Sequence, residues 1–251
     1  MEDDLDANYT LVSDIDASQT AQFDDGSGFD PVGGAGGIES TPPQFTGSFD
    51  GNNHTITGLT VNRPDEDSVG LFGATGNKAT LTNVTLTNVT VTGDSGVGGL
   101  VGANLGNVID VSASGSVTGR GEFNVGGLVG NNLAGTVQSV KFSGNVTGTG
   151  NFSAGGLVGV NQAIITIARA SGNVTGGERV GGLVGLNIGD ITNARASGNV
   201  SGDKQVGGLV GRNAGGTVRD TFAVGSVTGI DSVGGVVGNN PGGYDGVVEQ
   251  S

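Results

Sequence analysis

The chain has 251 residues, 53 of them glycine, with no cysteine, no tryptophan, one histidine and a net charge of −14. Zero cysteine excludes disulfide scaffolds, thiolate-held zinc, iron–sulfur clusters and thiol nucleophiles, and the lone His54 excludes a two-histidine metal site within one chain. Leu, Ile, Val and Phe sum to 66 residues, 26% of the chain, above the ~20% below which a strongly charged chain stays disordered.

A core is therefore expected, thin and rich in Val. No run of about 18 apolar residues exists to span a membrane. No signal-peptide pattern opens the chain, and EDDLDANYT after Met1 reads as a mature or excised segment. The charge is lopsided: residues 1–70 carry 14 acidic and 1 basic side chain, residues 71–251 carry 10 and 9. That argues against nucleic acid or anionic lipid as partner. Asp outnumbers Glu 18 to 6 and Lys occurs three times. The bias suits a halophilic host as well as it suits an ordinary acidic extracellular protein.

In chain order, residues 1–68 read as an irregular acidic lead-in. YTLVSDIDAS at 9–18 is strand-like, with Asp14 and Asp16 on one face. Paired carboxylates can do glycosidic acid–base work, and they serve equally as strand-end and turn acceptors. DDGSGFD at 24–30 sets Asp24, Asp25 and Asp30 in a Gly-rich loop. Calcium takes 6–8 oxygens from such loops, so these three are the candidate calcium ligands, against the alternative of a solvated acidic loop. His54, in DGNNHTITG, has no evident partner in the sequence. Asp65, Glu66 and Asp67 read as a solvated turn. Gly runs at 33–37 and 93–99 lack the GK[ST] ending of a phosphate loop.

From residue 69 a repeat takes over. VGGLVG runs at 97–102, 125–130, 180–185 and 206–211, with AGGLVG at 154–159, VGGVVG at 233–238 and a worn copy, VGLFG, at 69–73. The period is 26–29 residues. An Asn follows at a fixed offset: Asn104, Asn132, Asn161, Asn187, Asn213 and Asn240. A short apolar run and then GNVTG or a near copy complete each unit. Val and Thr favour strands, Gly and Asn allow corners, and no helical periodicity intervenes. Three short strands per unit predict an all-β solenoid, a parallel β-helix with one repeat per coil and coils ~4.8 Å apart. The expected rod is roughly 40–50 Å long by that spacing, one continuous domain whose last coil, 241–251, is incomplete and leaves an end open for self-association.

Columns follow from comparing coils. Val108, Val137, Ile165, Ile191 and Val218 are expected inside, as are Val117, Val146, Val174, Val200 and Val227. The inward spacing in the second strand implies a bulge or a bend. VGGLVG read as one strand leaves the Leu100 or the Val101 column exposed or partner-covered. The repeated Asn is expected as an inward ladder or as a left-handed corner. Lys141, Arg169 and Arg195 align on successive coils as a basic stripe, either able to hold an anionic polysaccharide or neutralised by Asp110, Asn193 and Asp220 one or two positions away. Thr118, Thr147, Thr175, Ser201 and Thr228 align as an outward hydroxyl column of the kind that could order water as an ice-binding face. Eight N-x-[ST] sequons occur, at Asn8, Asn53, Asn83, Asn88, Asn145, Asn151, Asn173 and Asn199.

VGGLVGxN followed by GNVTG resembles the GLUG-motif repeat family, and the segments at 9–18 and 45–63 with VGLFG at 69–73 resemble the lead-in of its domains. The resemblance implies a right-handed parallel β-solenoid in secreted or surface-anchored bacterial and archaeal proteins. It implies no catalytic residues and no cofactor beyond the calcium considered above. The expected function is a non-enzymatic extracellular stalk or adhesion module. Its partners would be cell-surface or polysaccharide ligands or copies of itself, with no nucleic acid and no membrane insertion. A carbohydrate-active or polysaccharide-binding β-helix and an ice-binding solenoid are the alternatives. With two Tyr and no Trp, sugar platforms are scarce.

Overall fold

The computed structural model describes residues 1–34, 43–150 and 153–241, and the backbone of 248–250. It is an all-β solenoid of parallel coils, in three sheets of 17, seven and six strands. One coil shows the path. Val97–Gly98 belongs to the six-stranded sheet and Val101–Asn104 to the seven-stranded sheet. Asn107–Ile109 and Ser112–Gly119 then run along the 17-stranded sheet. Each strand pairs in parallel with its equivalents one coil away: Val101 with Phe72 and Val129, Val117 with Val91 and Val146. The lead-in strands Asn8–Thr10, Ser48–Asp50 and Thr55–Thr57 join the same 17-stranded sheet. Of the incomplete last coil expected at 241–251, only Pro241 and the backbone of 248–250 fall within the described residues.

VGGLVG is not one strand. The chain bends at Gly99–Leu100, so the two halves enter different sheets. The bend turns both apolar columns inward, and Leu100 and Val101 are each 0% exposed. Neither column is left for a partner. The two small sheets lie backbone against backbone. A Cβ added at Gly126 would stand 2.1 Å from the Val129 carbonyl oxygen and 2.6 Å from the Gly159 nitrogen. One at Gly211 would stand 2.6 Å from the Val180 nitrogen. No side chain fits there, which is why the motif is built on glycine.

The inward columns of the long sheet are buried as expected, from Val108 to Val218 and from Val117 to Val200. The alternation is broken by a bend, not a bulge: a left-handed residue recurs in step from coil to coil at Asn83, Asp110, Ser139, Ile167, Asn193 and Asp220, with φ between 52 and 55 degrees, and the register runs through it unshifted between 138–140, 166–168 and 192–194. Asn, Asp and Ser accept that conformation readily, whereas β-branched Ile167 is strained in it.

The repeated Asn forms a ladder through the interior. Nδ2 of Asn104 donates to Oδ1 of Asn132 (2.9 Å), Asn132 to Asn161, Asn161 to Asn187 and Asn187 to Asn213 (2.8 Å each), and Asn213 to Asn240 (3.1 Å). The Thr75 hydroxyl donates to Oδ1 of Asn104 at the other end (2.8 Å). Asn104, Asn161, Asn187 and Asn213 also donate to a backbone carbonyl of the corner that follows, those of Gly106, Ala163, Gly189 and Gly216. All five from Asn104 to Asn213 are 0% exposed, so these bonds satisfy polar groups that would otherwise be costly to bury. Upstream of Thr75 the interior is aromatic instead, with Phe45, Phe49 and Phe72 in contact.

Two outcomes follow. Gly208→Ala drives a Cβ to 2.1 Å from the Gly235 carbonyl oxygen, whereas Gly235→Ala, at the same motif position one coil on, meets nothing within 4 Å among the described residues. Gly208→Ala is therefore expected to abolish folding or lower the urea midpoint sharply, and Gly235→Ala to leave it nearly unchanged. Asn161→Ala orphans the Asn132 amide proton and the Asn187 oxygen, at about 1–3 kcal/mol per group. It is expected to open amides on both flanking coils in hydrogen exchange.

Candidate ligand-binding face

The acidic loop does not gather its carboxylates around an open position. Arg63, 11% exposed, lies among them. Its Nη2 reaches Asp24 (3.2 Å) and Asp30 (3.3 Å), Nη1 reaches Glu66 (3.0 Å), and Nε donates to the Phe29 carbonyl (3.2 Å). The cation beside Asp24 and Asp30, two of the three carboxylates expected to hold calcium, is here the Arg63 guanidinium. Asp25 is exposed, in a left-handed turn. No group of three or more His, Asp or Glu is placed to hold a metal ion among the described residues. The turn at 65–67 is tied in by Arg63 through Glu66 rather than being freely solvated.

His54 has a partner after all. Parallel pairing of Ile15 with Ile56 brings Asp14 to its Nδ1 (3.3 Å), and Asp14 also accepts the Thr55 N–H (2.9 Å). Asp14 is 75% exposed, and the pair pins a turn. The Thr55 N–H, then His54, lowers the Asp14 pKa. The Ser18 N–H and hydroxyl lower Asp16. The Asn83 amide and then the Asn52 N–H lower Asp50. Burial, then the neighbouring Asp94, raises Asp67. An apolar cavity of about 460 Å³ opens beside these turns, lined by Tyr9, Leu11, Phe23, Phe49, Ile56 and Leu59 among others. Several of these residues belong to the core, so the cavity is the open side of the first coils.

The stripe lies where alignment of the repeats placed it. Lys141 pairs with Arg169, Arg169 with Arg195 and Arg195 with Phe222 on the 17-stranded sheet, and Ser112 precedes Lys141. Lys141, Arg169, Arg195 and Phe222 are exposed. A surface depression of about 350 Å³ lies beside Lys141 and Arg169, bordered by Asp110, Ser139 and Ile167. A second, of about 240 Å³, lies on the other side of Lys141 among Thr85, Ser112, Ser114 and Ser143. Further along the same sheet Thr92, Thr118, Thr147, Thr175, Ser201 and Thr228 pair in register. Beside them Asn145, Asn173 and Asn199 each accept a backbone N–H from the next coil. This second, outer ladder was hidden in the sequons. The sequon Asn151 lies outside the described residues.

Parallel coils carrying an internal amide ladder and ordered outer columns define a β-solenoid repeat protein. Four stretches of it, 93–118, 121–147, 176–201 and 202–228, match the GLUG motif. The chain is 42% identical over 114 residues to halomucin from Haloquadratum walsbyi, covering 45% of this chain and 1% of that protein. It is 39% identical over 109 residues to a protein provisionally described as a Gly-rich membrane protein from Evansella cellulosilytica, covering 42% of this chain and 12% of that one. The chain thus spans a small fraction of either relative. A crystal structure of a protein provisionally assigned as an immunoglobulin A1 protease, from Bacteroides ovatus, superposes with a TM-score of 0.65 over 92% of this chain and 78% of the other, at 20% identity. That likeness shows the fold alone.

The lowered carboxylates set an acid response. A group that binds protons less readily folded than unfolded contributes stability above the ordinary value of ~3.9, and the contribution is lost as pH falls through the lower folded value. Asp14, Asp16 and Asp50 have this sign; Asp67 has the opposite one, its penalty fading as pH falls. Hydrogen exchange below the ordinary carboxylate range is expected to show the turns at 14–18 and 50–55 opening before the coils at 97–213. Asp50→Asn is expected to remove the acid response at 50–52, because an amide oxygen accepts the same bonds at every pH.

Proposed function

We propose that the chain is a non-enzymatic extracellular module, a β-solenoid segment serving as stalk or adhesion surface in a cell-surface or secreted protein. The observation that carries this reading is the continuous parallel register of the coils. The register joins every coil to the next through backbone hydrogen bonds, and the Asn ladder adds a second set inside. Such a rod transmits load and holds outer side chains in fixed rows. Partners, whether a polysaccharide or a second rod, meet the outward columns and the coil ends. The similarity to halomucin and to a Gly-rich membrane protein supports surface placement. No helix among the described residues is long and apolar enough to cross a membrane. The acidic, Asp-rich composition is in keeping with exposure to a salt-rich medium.

The test is protease shaving of intact cells of the source organism. Peptides from 97–238 are expected in the supernatant before lysis. Their release only after lysis would overturn the reading.

A further inference from the structure

We infer that the column Lys141–Arg169–Arg195 is a binding row for an acidic polysaccharide, a chain of carboxylate- or sulfate-bearing sugars lying along the solenoid axis. The inference rests on the extracellular reading above and names the ligand class.

Three cations stand in register on neighbouring coils, about 4.8 Å apart. Like charges at that spacing repel. None of the three has an ion-pair partner among the described residues, although the chain carries 24 acidic side chains against 10 basic. Arg63, by contrast, is caged by three carboxylates. Two acidic side chains stand near the row, Asp110 at the rim of the depression and Asp220 one coil beyond Arg195 in the neighbouring column, and neither forms an ion pair with the three cations. An array left uncompensated in an acidic protein is complementary to an anion that supplies one charge per coil.

The surroundings favour sugar over other polyanions. Ser112 precedes the cations in the same column, and Thr85, Ser114 and Ser143 border the adjoining hollow, giving hydroxyl donors and acceptors beside the charges. Phe222, 48% exposed, follows Arg195 in the column and offers an apolar face next to the last cation. Ile167, two residues before Arg169 on the same strand, lines the depression, with its backbone held left-handed (φ 54 degrees) and the residue 48% exposed. Duplex nucleic acid or an anionic bilayer needs a broad basic surface. A single file of three cations on a protein of net charge −14 matches a single narrow chain.

The test uses the purified chain, with alginate as the polyuronate and dextran as the neutral control, read by affinity electrophoresis and by titration across a salt series. The variant K141S/R169S/R195S replaces each cation by the residue that Ser112 already places in this column, so the sheet accepts it. The matched variant K78S/R120S/K204S changes net charge equally at three other exposed cations.

Alginate is expected to bind the parent chain and dextran not to. The column variant is expected to lose about tenfold or more in affinity, as three exposed ion pairs allow, and to flatten the salt dependence. The matched variant is expected to lose little. Equal loss in both variants, equal binding of dextran, or tighter binding of single-stranded DNA or phosphatidylserine vesicles than of alginate would overturn the inference. Unchanged melting midpoints certify the variants, and R169S alone, expected to lose a smaller part, gives a second reading. Binding by the purified chain does not depend on where cells place it. Failure here therefore overturns this inference alone, and failure of the shaving experiment overturns the reading beneath it.

Discussion

The solenoid depends on one close approach: the backbones of its two small sheets touching with no side chain between them. Ordinary sheets pack about 10 Å apart across interleaved side chains. Here the first glycine of each VGGLVG lies against the neighbouring strand's carbonyl oxygen, and the last glycine lies against the backbone of the six-stranded sheet. The absent side chains leave room for the chain to bend at Gly99–Leu100 and its equivalents, and the bend turns Leu and Val into the interior together. The thin core depends on that contact, while the parallel hydrogen-bonded register sets the even coil spacing and puts the Asn amides within reach from coil to coil. A high glycine content is usually a mark of flexibility. In this chain it marks the tightest packing.

Entropy is the cost of such a design, since glycine loses more backbone freedom on folding than any other residue. The structure offsets it by repetition. From Val97 on, each coil is hydrogen-bonded to its neighbours through all three sheets, and the five innermost asparagines are fully buried with their amides bonded along the stack. Stability then accrues from interfaces between coils rather than from any one coil.

Much of this was legible in the residues. A repeat that conserves its spacing exposes its own inward columns, because a position that stays apolar from Val108 to Val218 is buried in all of them. The basic stripe was legible for the same reason, as was the break in alternation, which is a bend. The bend inside VGGLVG was not, since alternation along one strand and a sharp fold between two strands put the same residues in the same order. The Arg63 cage and the Asp14–His54 contact were also hidden. Their members lie 33 to 40 residues apart, from Asp30 to Arg63 and from Asp14 to His54, and only the winding of the irregular lead-in brings them together. Regular coils reveal themselves by comparison with one another; a lead-in with no copy has nothing to be compared with.

The amide ladder also has a sense. From Thr75 to Asn240 every proton is handed in one direction, toward higher residue numbers, and the corner carbonyls that take the second proton prevent a flip. The interior therefore carries a row of aligned dipoles, with a hydroxyl oxygen at its origin and an amide N–H at its far extremity. A stack of this kind is a vector. Any group that carries the ladder past Asn240 meets it as an acceptor, so the stack is polar along its axis, and a neighbouring coil can join it in one orientation only.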